Sequence, residues 1–142
     1  MREIKYRALA KVTYNYETHN SRYKIKEGDW VFGYYYRDVL DNEDSCSYFH
    51  VNYIRIEYGD HYGDIEVEGD TVGQFTGIKD NQGVDIYDGD ILEDEEHNRR
   101  EVYWSSDNLA WYCTNCFCSL SEVADTCKVI GNFYQNPELL DE

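Results

Sequence analysis

The chain has 142 residues, with 29 acidic and 13 basic side chains and a formal net charge of −16 at pH 7. This is the length of about one domain and suffices to bury a core without disulfides. No apolar run reaches about 18 residues, the length of a membrane-spanning helix, and residues 1–7 lack the apolar segment of a signal peptide. We therefore expect a cytoplasmic protein with reduced thiols and no membrane association.

The charge is distributed unevenly along the chain. Residues 1–26 hold seven of the basic and two of the acidic side chains, so they carry +5, and the remainder carries −21. The acidic remainder can simply be a solvated surface that keeps the protein soluble. Alternatively, the basic segment pairs with an acidic surface on its own body or on a neighbouring subunit. Direct binding of nucleic acid by the acidic body is disfavoured, because phosphate neutralisation drives that affinity.

Alternating apolar and polar residues predict strands in the first half of the chain, and fifteen Tyr, five Phe and three Trp favour β-structure. In the second predicted strand, Gly33 marks a bulge or a point of close approach. The four predicted strands span residues 4–9, 30–36, 48–58 and 65–67.

The middle of the chain predicts a hairpin followed at once by a third strand. Asp80 and Asn81 favour local turn bonds, and Gly83 can adopt the positive φ that closes a bulged hairpin. A second turn so soon afterwards predicts a tight meander, as at the start of small barrels. The arms are residues 74–78 and 84–87, the second turn is 88–90, and the third strand begins at Ile91.

The last third of the chain predicts a hairpin, short helical turns and a final strand. The hairpin arms are residues 102–104 and 109–114, the helical turns lie at 119–124, and the strand spans 128–130. Asn136 and Pro137 predict a short terminal helix, in which Asn136 is the cap and Pro137 takes the first helical position.

Three segments together resemble the YopX family of phage and prophage proteins. They are REIKYRA at residues 2–8, the run from QFTGIKD at 74–80 to IYDGDI at 86–91, and VIGNFYQNPELL at 129–140. One departure is Leu9, where an aromatic residue usually follows the Arg-Ala pair. The resemblance implies a compact, β-rich protein encoded by phages or prophages that acts inside the bacterial host. It implies no catalytic residue and no cofactor.

Pattern and resemblance together lead us to expect a mainly β fold. It would consist of small barrel-like or coiled antiparallel sheets, with short helical turns near the C-terminus. We expect residues 1–142 to form a single YopX-like domain. Within it, residues 1–72 would form an N-terminal sub-region and residues 73–142 a C-terminal barrel-like sub-region.

The cysteine cluster is the sharpest local pattern that could carry chemistry. Cys113, Cys116 and Cys118 lie close together in sequence, and Cys127 follows after eight residues. Four thiolates could hold zinc in tetrahedral geometry. The spacing is imperfect for a zinc ribbon, so the plainer alternative is a set of buried or half-buried thiols on strands, and we expect no metal centre or other cofactor.

No catalytic pattern stands out, since the chain has no Gly-x-Ser-x-Gly elbow, phosphate loop or His-Glu-x-x-His motif. We therefore expect a protein that is not an enzyme. The aromatic runs at residues 34–36 and 111–112 suit a strand core or an oligomer interface, where Tyr and Trp are enriched. Base stacking is the alternative, and it needs a positive groove that only residues 1–26 could provide.

Three functional hypotheses follow. The first is a non-enzymatic accessory protein that forms a homo-oligomer or binds an unknown host or phage protein. The second is an acidic DNA mimic that inhibits a host nuclease or other DNA-binding protein, with carboxylates in residues 57–70 and 85–96 arrayed like phosphates. The third is a barrel-type nucleic-acid-binding module that uses the basic N-terminal arm.

Overall fold

The computed structural model describes residues 5–17, 22–42, 47–58 and 61–141. These fold into two compact units, which we call the N-terminal unit, ending at Gly73, and the C-terminal unit, beginning at Gln74. The prediction of a mainly β fold with antiparallel sheets is confirmed, and over the described residues the sheets stay open and form no closed barrel. No helix within these ranges is long and apolar enough to cross a membrane.

The N-terminal unit is built from long antiparallel strands. Its main sheet has the order β6-β5-β4-β1, and β2 and β3 form a separate hairpin. The strands are β1 (Tyr6–Leu9), β2 (Tyr14–Glu17), β3 (Arg22–Ile25), β4 (Trp30–Asn42), β5 (Ser47–Tyr58) and β6 (His61–Glu66). The predicted strands of this half are found, but β4 runs six residues beyond the predicted end at residue 36.

One face of this sheet forms the core of the N-terminal unit. Val31, Ile54 and Ile65 are buried there, in a cluster that also contains residues of β1 and β3. Gly33 on β4 explains how closely β4 and β5 approach, because a Cβ at this position would collide with the backbone carbonyl of Arg55. The close approach anticipated at this glycine is thus present.

The C-terminal unit contains a hairpin and a second antiparallel sheet. The strands are β7 (Gly73–Lys79), β8 (Asp85–Tyr87), β9 (Asp90–Glu93), β10 (Arg99–Ser105), β11 (Ala110–Cys113) and β12 (Lys128–Asn132). β7 and β8 form the hairpin predicted from the middle of the chain. The sheet has the order β11-β10-β9-β12, and Ile86, Leu92 and Val102 are buried in the core of the unit.

Two aspartates fix the turns of the middle run. Asp80 accepts hydrogen bonds from the backbone N–H groups of Gln82 at 2.8 Å and Val84 at 2.9 Å, which closes the hairpin loop. Its other oxygen accepts a bond from the N–H of Val129, on β12, at 2.9 Å. Asp90 is buried and accepts the N–H of Tyr87 at 2.8 Å. Both carboxylates therefore have a structural role: they hold the turns of this run in place.

The helical turns near the C-terminus are short, as predicted. α1 spans Leu120–Val123 and buries Leu120 in the core of the unit. The predicted terminal helix is a 3-10 turn, Pro137–Leu140. Asn136 precedes it without a side-chain capping bond, and its Oδ1 instead accepts the N–H of Asn132 at 3.3 Å.

Candidate functional site

One surface of the N-terminal unit carries aromatic side chains on three neighbouring strands. Alternation along β4 places Phe32, Tyr34 and Tyr36 on the side opposite the core. Strand register brings further side chains of β5 and β6 to the same side, since Tyr36 pairs with Tyr53 and Glu57 with Tyr62. The aromatic face, as we name it, comprises Phe32, Tyr34, Tyr36, Tyr53 and Tyr62, with Arg55 among them.

Arg55 lies at the centre of the aromatic face. Its guanidinium carbon is 4.5 Å from the ring centroid of Tyr62 and 5.5 Å from that of Tyr36. Tyr36 in turn stacks on Tyr53, with 5.2 Å between ring centroids. Two hydrogen bonds to Asp64, at 2.8 and 3.2 Å, orient the guanidinium in a bidentate pair. The rings are thus arranged around a fixed cation.

The ionisable groups on this face influence one another. The Arg55 hydrogen bonds lower the pKa of the Asp64 carboxyl from its usual value. Burial, followed by the hydrogen bond to Asp64, raises the pKa of the Tyr36 hydroxyl. At neutral pH the face therefore presents a neutral phenol beside an ion pair whose charges cancel.

The aromatic face is open to solvent. Tyr34 and Tyr62 are each 62% exposed, and Phe32 is 50% exposed. A shallow open pocket of about 550 Å³ lies here, lined by Tyr34, Tyr35, Tyr36, Arg55 and Glu57. Large exposed apolar groups gathered on one side of a sheet are typical of an interaction surface.

The structure places three of the four cluster cysteines in or against the core of the C-terminal unit. Cys113 and Cys127 are buried, Cys116 packs against the same core, and Cys118 is exposed. All four are free thiols. Across the described ranges, no three His, Cys, Asp or Glu side chains are grouped so as to hold a metal ion. The zinc hypothesis stays an untested alternative, and the description as buried thiols fits Cys113 and Cys127.

The environments of these thiols oppose ionisation. Burial raises the pKa of Cys113 to about 12 and also raises the pKa of Cys127. A hydrogen bond that the Cys118 thiol donates to the Glu122 carboxylate is the main cause of the raised pKa of Cys118. Because the thiolate is the reactive form, none of these three environments activates a nucleophile.

Many carboxylates of the two acidic stretches have local structural partners. In residues 57–70, Asp64 pairs with Arg55, and Glu66 lies 3.5 Å from the Lys11 ammonium. In residues 85–96, Asp85 lies 3.2 Å from the Lys79 ammonium. Asp90 is buried, and Glu93 lies beside three basic groups. Carboxylates engaged in this way are not a free array resembling DNA phosphates.

Sequence reasoning found only part of the aromatic face. Residues 34–36 were singled out, but Tyr35 points to the core side and donates its hydroxyl to Asn52 Oδ1 at 2.6 Å. In the other aromatic run, Trp111 is buried in the core. Tyr53 and Arg55 were missed as site residues. The sequence shows that Tyr53 and Arg55 alternate along β5. It does not show the cross-strand register that brings them beside Tyr36.

The chain is thus a mainly β protein that exposes aromatic side chains on one face of a sheet. The family model described as YopX protein matches residues 5–141, so the chain belongs to the YopX family. Among solved structures, it is similar to the crystal structure of protein EF1440 from Enterococcus faecalis. The two are 23% identical, the match covers 99% of this chain and 100% of that chain, and the TM-score is 0.47. No curated protein matches the chain.

Proposed function

We propose that this YopX-family protein is a non-enzymatic accessory protein of a phage or prophage. It acts in the cytoplasm of the bacterial host by associating through the aromatic face, first of all with a second copy of itself. The observation that carries the proposal is the exposed cluster of Phe32, Tyr34 and Tyr62 around Arg55. Exposed apolar groups gathered in one patch mark interaction surfaces.

The composition of the aromatic face suits a protein partner. Tyr and Arg are enriched among the residues that dominate binding energy, and a Tyr ring buries a large area with only two rotatable bonds. The bidentate bonds to Asp64 already hold Arg55 in place, so binding sacrifices little of its side-chain entropy. Because the charges of this pair cancel and Glu57 lies beside the pocket, the face lacks the positive groove that base stacking needs.

The choice of a second copy rests on charge. Residues 1–26 carry +5 and the remainder carries −21, so each copy has a segment that complements the body of another. Complementary patches steer association and set its register. In a two-fold dimer the same surface of each copy faces the other. The aromatic face can meet itself without repulsion between like charges, because the charges of its Arg55–Asp64 pair cancel. The expected assembly combines an aromatic centre with charge pairs around it.

Light scattering coupled to size-exclusion chromatography tests the proposal. The wild-type protein should elute with a mass of at least two chains at about 0.15 M salt, where exposed charges are screened beyond about 8 Å. The double variant Tyr34→Ser, Tyr62→Ser should self-associate at least about 100-fold more weakly, since truncating each central aromatic costs about 2 kcal/mol.

A matched control is available in the C-terminal unit, where Phe117 is fully exposed. Phe117→Ser removes an exposed aromatic ring that is not part of the aromatic face and should keep the wild-type mass. A wild-type protein that remains monomeric at high concentration would contradict self-association. A double variant that assembles like the wild type would contradict the role of the aromatic face.

A further inference from the structure

A second cavity lies in the C-terminal unit. It is open, has a volume of about 340 Å³ and is lined by Asn98, Arg99, Arg100, Asn115, Leu139 and Leu140. Two consecutive arginines thus meet at one cavity in a chain with only 13 basic residues. The volume is at the small end of ligand pockets, which are about 300–1,000 Å³.

The guanidinium of Arg99 is already engaged by other groups of the protein. Its Nε lies 3.1 Å from Glu93 Oε2, and an Nη donates to the carbonyl of Leu139 at 3.4 Å. Glu93 also lies 3.5 Å from His97 and 4.0 Å from Lys128. The hydrogen bond from Arg99 is the first cause of the lowered pKa of Glu93. This carboxylate therefore already lies beside two cationic side chains and a histidine.

The guanidinium of Arg100 differs from that of Arg99 in its contacts. Its side chain is half-buried, yet within the part of the chain that the structure describes its guanidinium makes no hydrogen bond and no ion pair. The acidic group that acts on it is Asp94, whose Oδ1 accepts the N–H groups of Glu96 and Asn98 and whose Oδ2 accepts the Asn98 amide at 3.1 Å. The guanidinium donors of Arg100 are thus not engaged by any residue that the structure describes.

Asn115 adds a second available donor. Its backbone adopts a left-handed φ of 56°, a conformation that Asn tolerates better than most residues. Its side-chain amide makes no hydrogen bond to any described residue. A guanidinium and an amide that line one cavity form a donor set suited to an oxyanion, which an Arg binds with parallel N–H bonds.

We propose that this cavity binds a small oxyanion, the phosphate or carboxylate group of a small molecule, with Arg100 as its anchor. Asn115 donates a further hydrogen bond, and the Leu139 and Leu140 side of the cavity accommodates the organic part of the ligand. Arg99, fixed by Glu93, adds positive potential. The proposal concerns the C-terminal unit alone and is independent of self-association.

Titration of the wild-type protein with inorganic phosphate, followed by amide NMR at constant ionic strength, tests the site. Saturable shifts should centre on the amides of Asn98, Arg100 and Asn115. A parallel titration with acetate distinguishes phosphate from carboxylate as the preferred group. No saturable shift at these amides with either anion overturns the proposal, whatever the variants do.

Two variants assign the binding to Arg100. Arg100→Gln should weaken binding at least about tenfold, because charge-assisted hydrogen bonds are lost. Lys79→Gln removes an equal charge from an exposed ion pair in the same unit and should leave affinity within about twofold. If Arg100→Gln fails to fold, Arg100→Lys keeps the charge without the planar fork and should still bind measurably more weakly. Equal affinity in the folded Arg100 variant and the wild type overturns the assignment.

Discussion

Replacement of Asp80 by Ala should destabilise the protein well beyond what a loop aspartate usually contributes. Asp80 is 7% exposed and accepts three backbone N–H bonds, two within the hairpin loop and one from Val129. The bond to Val129 spans 49 residues of sequence and joins the loop to β12. After the substitution, Gln82 and Val84 can turn to water because they lie in an exposed loop, whereas the half-buried N–H of Val129 loses its acceptor.

The expected magnitude follows from these three bonds. Leaving the Val129 N–H unsatisfied costs about 1–3 kcal/mol, and each loop bond contributes about 0.5–1 kcal/mol, so the free energy of unfolding should fall by about 3 kcal/mol. For a chain of this size that corresponds to a fall in Tm of about 6–12 °C. Urea denaturation followed by tryptophan fluorescence measures the change.

Two comparisons sharpen this measurement. Asp80→Asn keeps one acceptor oxygen and should lose about half as much. Asp107→Ala removes an exposed carboxylate from the β10–β11 turn and should change stability by less than about 0.5 kcal/mol. If Asp80→Ala also stays within about 0.5 kcal/mol of the wild type, the bond to Val129 does not hold the hairpin to β12 and the reasoning fails.

Three further predictions concern other features. Gly33→Ala should destabilise the N-terminal unit by about 1–3 kcal/mol in thermal unfolding, because the new Cβ meets the Arg55 backbone carbonyl. Arg55→Met should raise the pKa of Asp64 in an NMR titration; since Arg55 depresses that pKa, its stabilisation is present at neutral pH and is lost as pH falls through the folded-state pKa. Under native conditions at pH 8, iodoacetamide followed by mass spectrometry should label exposed Cys118 well before buried Cys113.

Each of these has a result that contradicts it. A Gly33→Ala variant with an unchanged Tm would mean that β4 and β5 lie farther apart. An Asp64 pKa that is unchanged in Arg55→Met would show that Arg55 and Asp64 do not form the bidentate pair. Equal labelling rates for Cys113 and Cys118 in the folded protein would show that Cys113 is not buried.

The strands and the central hairpin could be predicted because their signals are local. In the strand predicted at residues 48–58, Ile54 and Ile56 share one face by alternation, and both are buried. Gly83 was expected at positive φ, and its φ is 79°. Such features depend on neighbours within a few positions, which a single sequence displays.

The site depended on pairings that a single sequence does not display. Nothing near Arg55 in sequence indicates that Asp64 will lie opposite it, because the pairing of β5 with β6 sets that register. Asp80 was correctly expected in a turn, but its bond to Val129 is long-range and was not foreseen. The predicted capping bond of Asn136 was replaced by a bond to the backbone of Asn132. Partners distant in sequence decided the first two cases, whereas the Asn136 bond is local and reaches a residue four positions away.

The central claim, that the aromatic face is where the protein associates, is tested most directly by hydroxyl-radical footprinting at low and high protein concentration. Tyr34, Tyr62 and Phe117 are all strongly exposed in the single chain. The account predicts that oxidation of Tyr34 and Tyr62 falls as the protein assembles, while oxidation of Phe117 does not change. Equal oxidation of Tyr34 and Tyr62 in the dilute and the assembled protein would contradict it.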